Sequence, residues 1–212
     1  MRCLKTVAPS LRGDDLLAPT AELKQRLQEI TDVEITDDDS YMEAVCLLLD
    51  KFAEKGCRFA DHALDDGFFD APNGKEKTAM LIRLAGQYEK RGWTLLLHIG
   101  AKRTTSPRLK RIAGPAGGYA GAGSIPAGKI ADLLGEMEAA DALPKTVLFP
   151  LDMADQASYA FLQGSFSQDG VASKVQLGPA WWWCDHKLGI ENTLDAIASF
   201  GVVSQFIGMT TD

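Results

Sequence analysis

"EKTAMLIRLAGQYEKRG" (76–92) runs directly into "WTLLLHIG" (93–100), and the fold class turns on that junction. The first segment spaces its apolar residues at helical intervals and ends in a basic turn with Gly92. The second is an unbroken apolar run that ends in His98. Glycine at the end of a helix supplies the left-handed cap that lets the chain turn back. A strand that is apolar on both sides, rather than alternating, belongs in a sheet covered on both faces.

The same grammar recurs on either side. "YMEAVCLLLDKFAEKG" (41–56) leads into "CRFADH" (57–62), and "TLDAIASFG" (193–201) leads into "VVSQFIGMTTD" (202–212). Gly56 and Gly201 are the expected left-handed caps there. Two further strands are expected at "KTVLFPLD" (145–152), after the helix around "IADLLGEMEAADAL", and at "KVQLG" (174–178), after "QASYAFLQGSF". "CLKTVAPS" (3–10) reads as a strand at the start of the chain. Strands separated by helices imply right-handed parallel crossovers, hence α/β. An open doubly wound sheet and a (β/α) barrel both satisfy that pattern.

The ends of the strands favour the barrel. His62 follows "CRFAD", His98 follows "WTLLL", Asp152 follows "TVLFPL", Trp181 to Asp185 follow "KVQLGPA", and Asp212 follows "QFIGMTT". Barrels place their chemistry at the C-terminal ends of successive strands, whereas open sheets gather it at one switch point. The expected strands number about six, against eight in a closed barrel of roughly 250 residues. The expectation is one incomplete barrel over residues 1–212.

The bulk composition is that of a globular protein, with 212 residues, 46% hydrophobic and 24% charged. A formal net charge of -7 argues against nucleic acid or an anionic membrane surface as the main partner. The basic stretch "KRTTSPRLKR" (102–111) reads as a solvated surface or a local anion site. The four cysteines (Cys3, Cys46, Cys57, Cys184) show no C-x-x-C pairing, as expected of free thiols in a reducing cytoplasm. No run approaches 18 apolar residues, and "MRCLKTVAPS" lacks a signal-peptide core.

Motifs are sparse. "GSIPAGKI" (123–130) imitates a phosphate-binding loop, but Ile130 stands where Ser or Thr would meet the metal. A glycine-rich loop accounts for it. The histidines show neither zinc-finger nor H-E-x-x-H spacing. Asp61 and Asp65 in "DHALDD" read as helix-entry caps. "GPAWWWCDHKLGI" (178–190) concentrates three of the four tryptophans in one step. In an extended segment Trp181 and Trp183 would share one side and Trp182 the other, leaving Trp182 as packing and Trp181 for a pocket wall.

Taken together, "KGCRFADHALD" (55–65), "YEKRGWTLLLHIGAKR" (88–103), "LPKTVLFPLDMADQ" (143–156), "GSFSQDGVASKVQLGPAWWWCDHKLG" (164–189) and "ASFGVVSQFIGMTTD" (198–212) resemble the uronate (glucuronate) isomerase family of the amidohydrolase superfamily. The resemblance implies a (β/α)8 barrel of which this chain holds roughly strands four to eight, as a C-terminal fragment lacking the family's H-x-H metal pair. It implies reversible interconversion of D-glucuronate with D-fructuronate and of D-galacturonate with D-tagaturonate, assisted by a divalent metal, usually zinc. Asp212 would bind that metal or shuttle protons, and His98 would meet the substrate oxygens. Arg12 would contact the substrate, Trp181 would wall the site with Asp185 beside it, and His62 would be a further metal ligand. On this basis the expected partners are uronate sugar acids, with a homo-oligomer also admitted, and isolated turnover is expected to be negligible. The competing expectations are a non-catalytic half-barrel that binds a partner or self-associates, and a hydrolase of the same superfamily.

Overall fold

A computed structural model of the chain describes residues 8–114 and 121–208. Five strands form one parallel sheet: β1 (Leu11–Arg12), β2 (Phe59–Leu64), β3 (Thr94–Ile99), β6 (Lys145–Pro150) and β7 (Val175–Leu177). A short antiparallel hairpin, β4 (Ala101–Lys102) with β5 (Gly121–Ala122), stands apart from it. Strand order in the sheet follows the chain without reversal, each strand pairing with the next in sequence. A doubly wound sheet would reverse at a switch point, so this is the winding of a barrel wall.

Helices α1 (Ala21–Thr31), α2 (Asp38–Glu54), α3 (Gly74–Lys90), α4 (Pro107–Ala113), α5 (Ala127–Ala139), α6 (Gln156–Ser165) and α7 (Lys187–Phe200) fill the connections. Asp37 caps α2 through a reciprocal box with Ser40, and Thr20 caps α1. The α4 helix arises inside the basic stretch, where Ser106 caps it and Pro107 opens it.

The pleat divides the strands into two faces. On β2, Ala60, His62 and Leu64 are fully buried, while Asp61 and Ala63 are half-buried on the other side. On β3, Leu95, Leu97 and Ile99 enter the main core, and Leu96 and His98 share the opposite face. That core joins the sheet to α2, α3, α5 and α6. A second, smaller apolar cluster of Ala101, Leu151, Ala180 and Cys184 lies at the C-terminal ends of the strands, and the three tryptophans pack on it.

Three expectations are corrected. The strand expected at 3–10 lies mostly outside the described residues, which begin at Ala8; its described part, Ala8 to Ser10, is not strand, and among the described residues pairing begins at Leu11↔Ala60. Ala8 and Ser10 are exposed, and Pro9 has no N–H to give a ladder. Of the strand expected at 202–212, residues 209–212 lie outside the described residues, and the described part, 202–208, is not a strand. Val203–Gln205 form a 3-10 turn with Val202 and Val203 exposed, and the Ile207 amide bonds the Gln176 side chain, not the β7 backbone. Gly56 and Gly92 are left-handed caps as expected, but Gly201 is extended at φ -137. What Gly201 provides is clearance, since a Cβ there would lie 2.7 Å from Gln163 Oε1.

Candidate active site

At the C-terminal ends of β1, β2 and β3 lies a pocket of about 220 Å³, lined by Arg12, Asp61, Asp65, His98, Arg103, Trp181 and Trp182 with two alanines. Its polar wall is made by strand register. Arg12 pairs with Asp61 across β1 and β2, and Asp61 lies diagonally from His98 on the same sheet face. The His98 Nδ1 is 2.5 Å from Asp61 Oδ1, and Arg12 Nη1 is 3.5 Å from Asp61 Oδ2. His98 Nε2 has no hydrogen-bond partner among the described residues, which leaves one imidazole nitrogen oriented and the other open.

The electrostatics follow from that arrangement. Burial alone would raise the Asp61 carboxyl, but the hydrogen bond and charge of His98, with Arg12 beyond, hold it below the ordinary carboxylate value. Arg12 is secured as a cation chiefly by its hydrogen bond to Asp14, against the opposing effect of burial. The pocket therefore joins a permanent cation, an ionised carboxylate and an imidazole within one cleft.

Aromatic rings close the other side. His98 stacks on Phe149 with centroids 4.8 Å apart, and Trp181 meets His98 edge-on at 4.4 Å. Trp181 is fixed by donating its Nε1–H to Phe149 O at 2.9 Å. The tryptophan run is not extended: Trp182–Cys184 form a 3-10 turn, with Trp182 at φ 52. Side chains therefore do not alternate there, and Trp182 lines the pocket beside Trp181, with the Arg103 guanidinium 5.8 Å from its ring. Gly189 permits the turn, because a Cβ there would meet Cys184 O at 1.9 Å.

The structure thus brings Arg12, His98 and Trp181 into one pocket. Asp185 is exposed and does not line it. His62 points to the helix layer, is fully buried and bonds Tyr88 Oη at 2.9 Å. Asp212 lies outside the described residues. Asp61, read above as a helix cap, is instead a strand residue of the site. Its signal was available: in A-D-H-A-L-D (60–65), Asp61, Ala63 and Asp65 fall at i, i+2 and i+4, one strand face. The phosphate-loop imitation resolves as a helix start in which Lys129 pairs with Asp70 at 2.7 Å.

Among the described residues, no group of three or more His, Cys, Asp or Glu side chains could hold a metal ion. Asp61 is already shared between His98 and Arg12, and His62 faces away. The described residues therefore do not by themselves fit the divalent metal implied above. Cys46, Cys57 and Cys184 are free thiols, and no described helix is long and apolar enough to cross a membrane.

Comparison with known proteins bears on the fold and the family. Uronate isomerases of Salmonella typhimurium and Salmonella dublin are 36% identical over 234 aligned residues, covering 97% of this chain and 50% of each relative. The chain spans about half the length of the curated relatives it matches. Among solved structures, the uronate isomerase of Thermotoga maritima superposes with a TM-score of 0.79 at 22% identity, covering 98% of this chain and 50% of that one. The glucuronate isomerase of Caulobacter crescentus gives 0.79 at 19% identity, covering 97% and 47%. These likenesses establish the fold, a partial barrel with the parallel wall described above. The family model for glucuronate isomerase matches residues 72–212, the greater part of the sequence including His98 and the tryptophan turn, and the chain belongs to that family.

Proposed function

We propose that this chain carries part of a uronate isomerase site, which interconverts D-glucuronate with D-fructuronate and D-galacturonate with D-tagaturonate. The carrying observation is the Asp61–His98 pair, 2.5 Å apart in a pocket that also holds Arg12 and Trp181. The reaction moves a proton from C2 to C1 through a cis-enediol, while O2 loses a proton and O1 gains one. An imidazole oriented at Nδ1 by a carboxylate and open at Nε2 suits that exchange at the oxygens. Arg12 offers the positive charge that a uronate carboxylate needs, and Trp181 offers a flat wall for the sugar ring. Asp212 is the proposed carboxylate for proton shuttling. A divalent metal, zinc in the family resemblance, belongs to the complete site with Asp212 among its ligands, and none of these steps passes through it.

Isothermal titration of the purified chain with D-glucuronate tests the reading. Saturable binding that is lost in Arg12→Met supports it, and absence of binding by the wild-type chain contradicts it.

A second reading, self-association of a half-barrel, is favoured by a separate observation. Among the described residues the end strands β1 and β7 are each paired on one side only, and Phe161, Phe200, Val202 and Val203 are exposed on α6, α7 and the following turn. Sedimentation of the pure chain separates the two, because a monomer at all concentrations rules out self-association.

A further inference from the structure

The Arg12 side chain is 63% exposed, yet its guanidinium is held at a defined angle. Its Nε donates to Asp14 Oδ2 at 2.8 Å, and the other oxygen of that carboxylate, Oδ1, accepts the Ala63 backbone N–H at 2.6 Å. Asp14 is therefore anchored to β2 through one oxygen and grips Arg12 through the other. The backbone around it is fixed as well. Gly13 N–H bonds Asp61 O at 2.9 Å, and Leu16 and Leu17 of the same 3-10 turn (Asp14–Leu17) are buried in the core.

We infer that Asp14 is the positioning residue for Arg12, occupying Nε so that the Nη1 and Nη2 edge alone is presented to a uronate carboxylate. This rests on the uronate reading for the identity of the anion, although not for the orientation of the guanidinium. An unrestrained arginine on a surface samples many rotamers, and fixing it in advance removes that entropy cost from binding. The Nη1 atom already leans toward Asp61 at 3.5 Å, so the clamp also places the cation within reach of the carboxylate that orients His98. Asp14 acts through Arg12 and is not itself a catalytic residue.

The orientation is read from the Arg12 Nε–H signal in 15N spectra of the purified chain, assigned by its loss in Arg12→Lys. The expected wild-type signal exchanges slowly with solvent. In Asp14→Asn it exchanges fast while the amide spectrum keeps its dispersion, and D-glucuronate affinity falls about tenfold, the scale of one charge-assisted hydrogen bond. Any weak binding of D-glucose, which has no carboxylate, is unchanged. A fast-exchanging Nε–H in the wild-type chain overturns the inference without any variant. A slow Nε–H and unchanged glucuronate affinity in Asp14→Asn also overturn it. If Nε–H protection depends on Asp14 but the wild-type chain binds no uronate, the positioning role stands and the uronate reading falls.

Discussion

His98 Nδ1 lies 2.5 Å from Asp61 Oδ1, although the two residues are 37 positions apart. Parallel pairing brings them together, since β2 and β3 run in register from Phe59↔Thr94 to Leu64↔Ile99. Asp61 and His98 occupy the same sheet face two register positions apart, where their side chains converge. The pair is thus a product of the barrel wall and not of a flexible loop. That is the setting in which a proton-transfer group can be held to a defined geometry.

The Asp61 carboxyl titrates below the ordinary carboxylate range because His98 and Arg12 outweigh its burial. With a depressed native value, its contribution to stability is present above the unfolded pKa of about 3.9 and is lost as pH falls through the lower native value. His98→Asn removes the largest favourable partner. The Asp61 titration, followed by carboxyl 13C NMR, is then expected to move to higher pH. An unchanged midpoint contradicts the pairing.

His62 behaves differently because it is buried on the helix side. Burial pushes its pKa down to about 4, with Asp14 and Asp61 only partly opposing this. An unfolded histidine binds its proton near pH 6.5, so stability falls as pH drops from 6.5 to 4 and levels off below. The total loss over that window is about 3 kcal/mol. Urea unfolding across this range checks it, and His62→Gln, which removes the titration, is expected to flatten that part of the profile.

Gly13 lies between Arg12 and Asp14 and rests on the His62 ring, where a Cβ would meet Cε1 at 2.5 Å and Nε2 at 2.6 Å. The ring is held from below by Tyr88 and has little room to move. Gly13→Ala is expected to destabilise the chain by about 1–3 kcal/mol, the usual cost of overpacking. It should also lift the turn that carries Asp14, so slow exchange at Arg12 Nε–H is expected to be lost. Chemical denaturation and the 15N spectrum report the two effects separately.

Trp181 is held against His98 and Phe149 by its own hydrogen bond to Phe149 O. Trp181→Ala is expected to weaken D-glucuronate binding about tenfold, which corresponds to about 1.4 kcal/mol. Trp183 packs at a tilt on Trp182 and does not line the pocket, so Trp183→Phe is expected to leave the affinity unchanged. Titration of both variants by calorimetry distinguishes the wall from the packing.

Much of the barrel wall was legible because a helix followed by an apolar run recurs, with a glycine between the two before β2 and β3. That pattern located β2, β3, β6 and β7 to within a few residues, and His98 with them. It did not locate β1, which among the described residues is only the two-residue strand Leu11–Arg12, just beyond the expected run. Nor could apolar content separate the 202–208 run from a strand, since both are rich in valine and isoleucine. The difference lies in whether a backbone partner is available. Asp61 was missed because the residue beside it, His62, drew the attention due to a ligand-capable side chain, while the pleat sends the two to opposite faces. The tryptophan turn was misread because a left-handed Trp182 has no sequence signature, whereas Gly189, whose missing side chain admits the turn, lies seven residues on.

Arg12, Asp61 and His98 line one pocket, which is proposed to recognise a uronate. The most direct measurement is the NMR of the His98 imidazole in the purified chain during titration with D-glucuronate, with D-glucose as the uncharged control. The predicted result is a saturable change in the His98 ring signals with D-glucuronate, none with D-glucose, and loss of the response in Arg12→Met. A His98 signal indifferent to D-glucuronate, or equally perturbed by both sugars, would overturn the assignment of this pocket to a uronate.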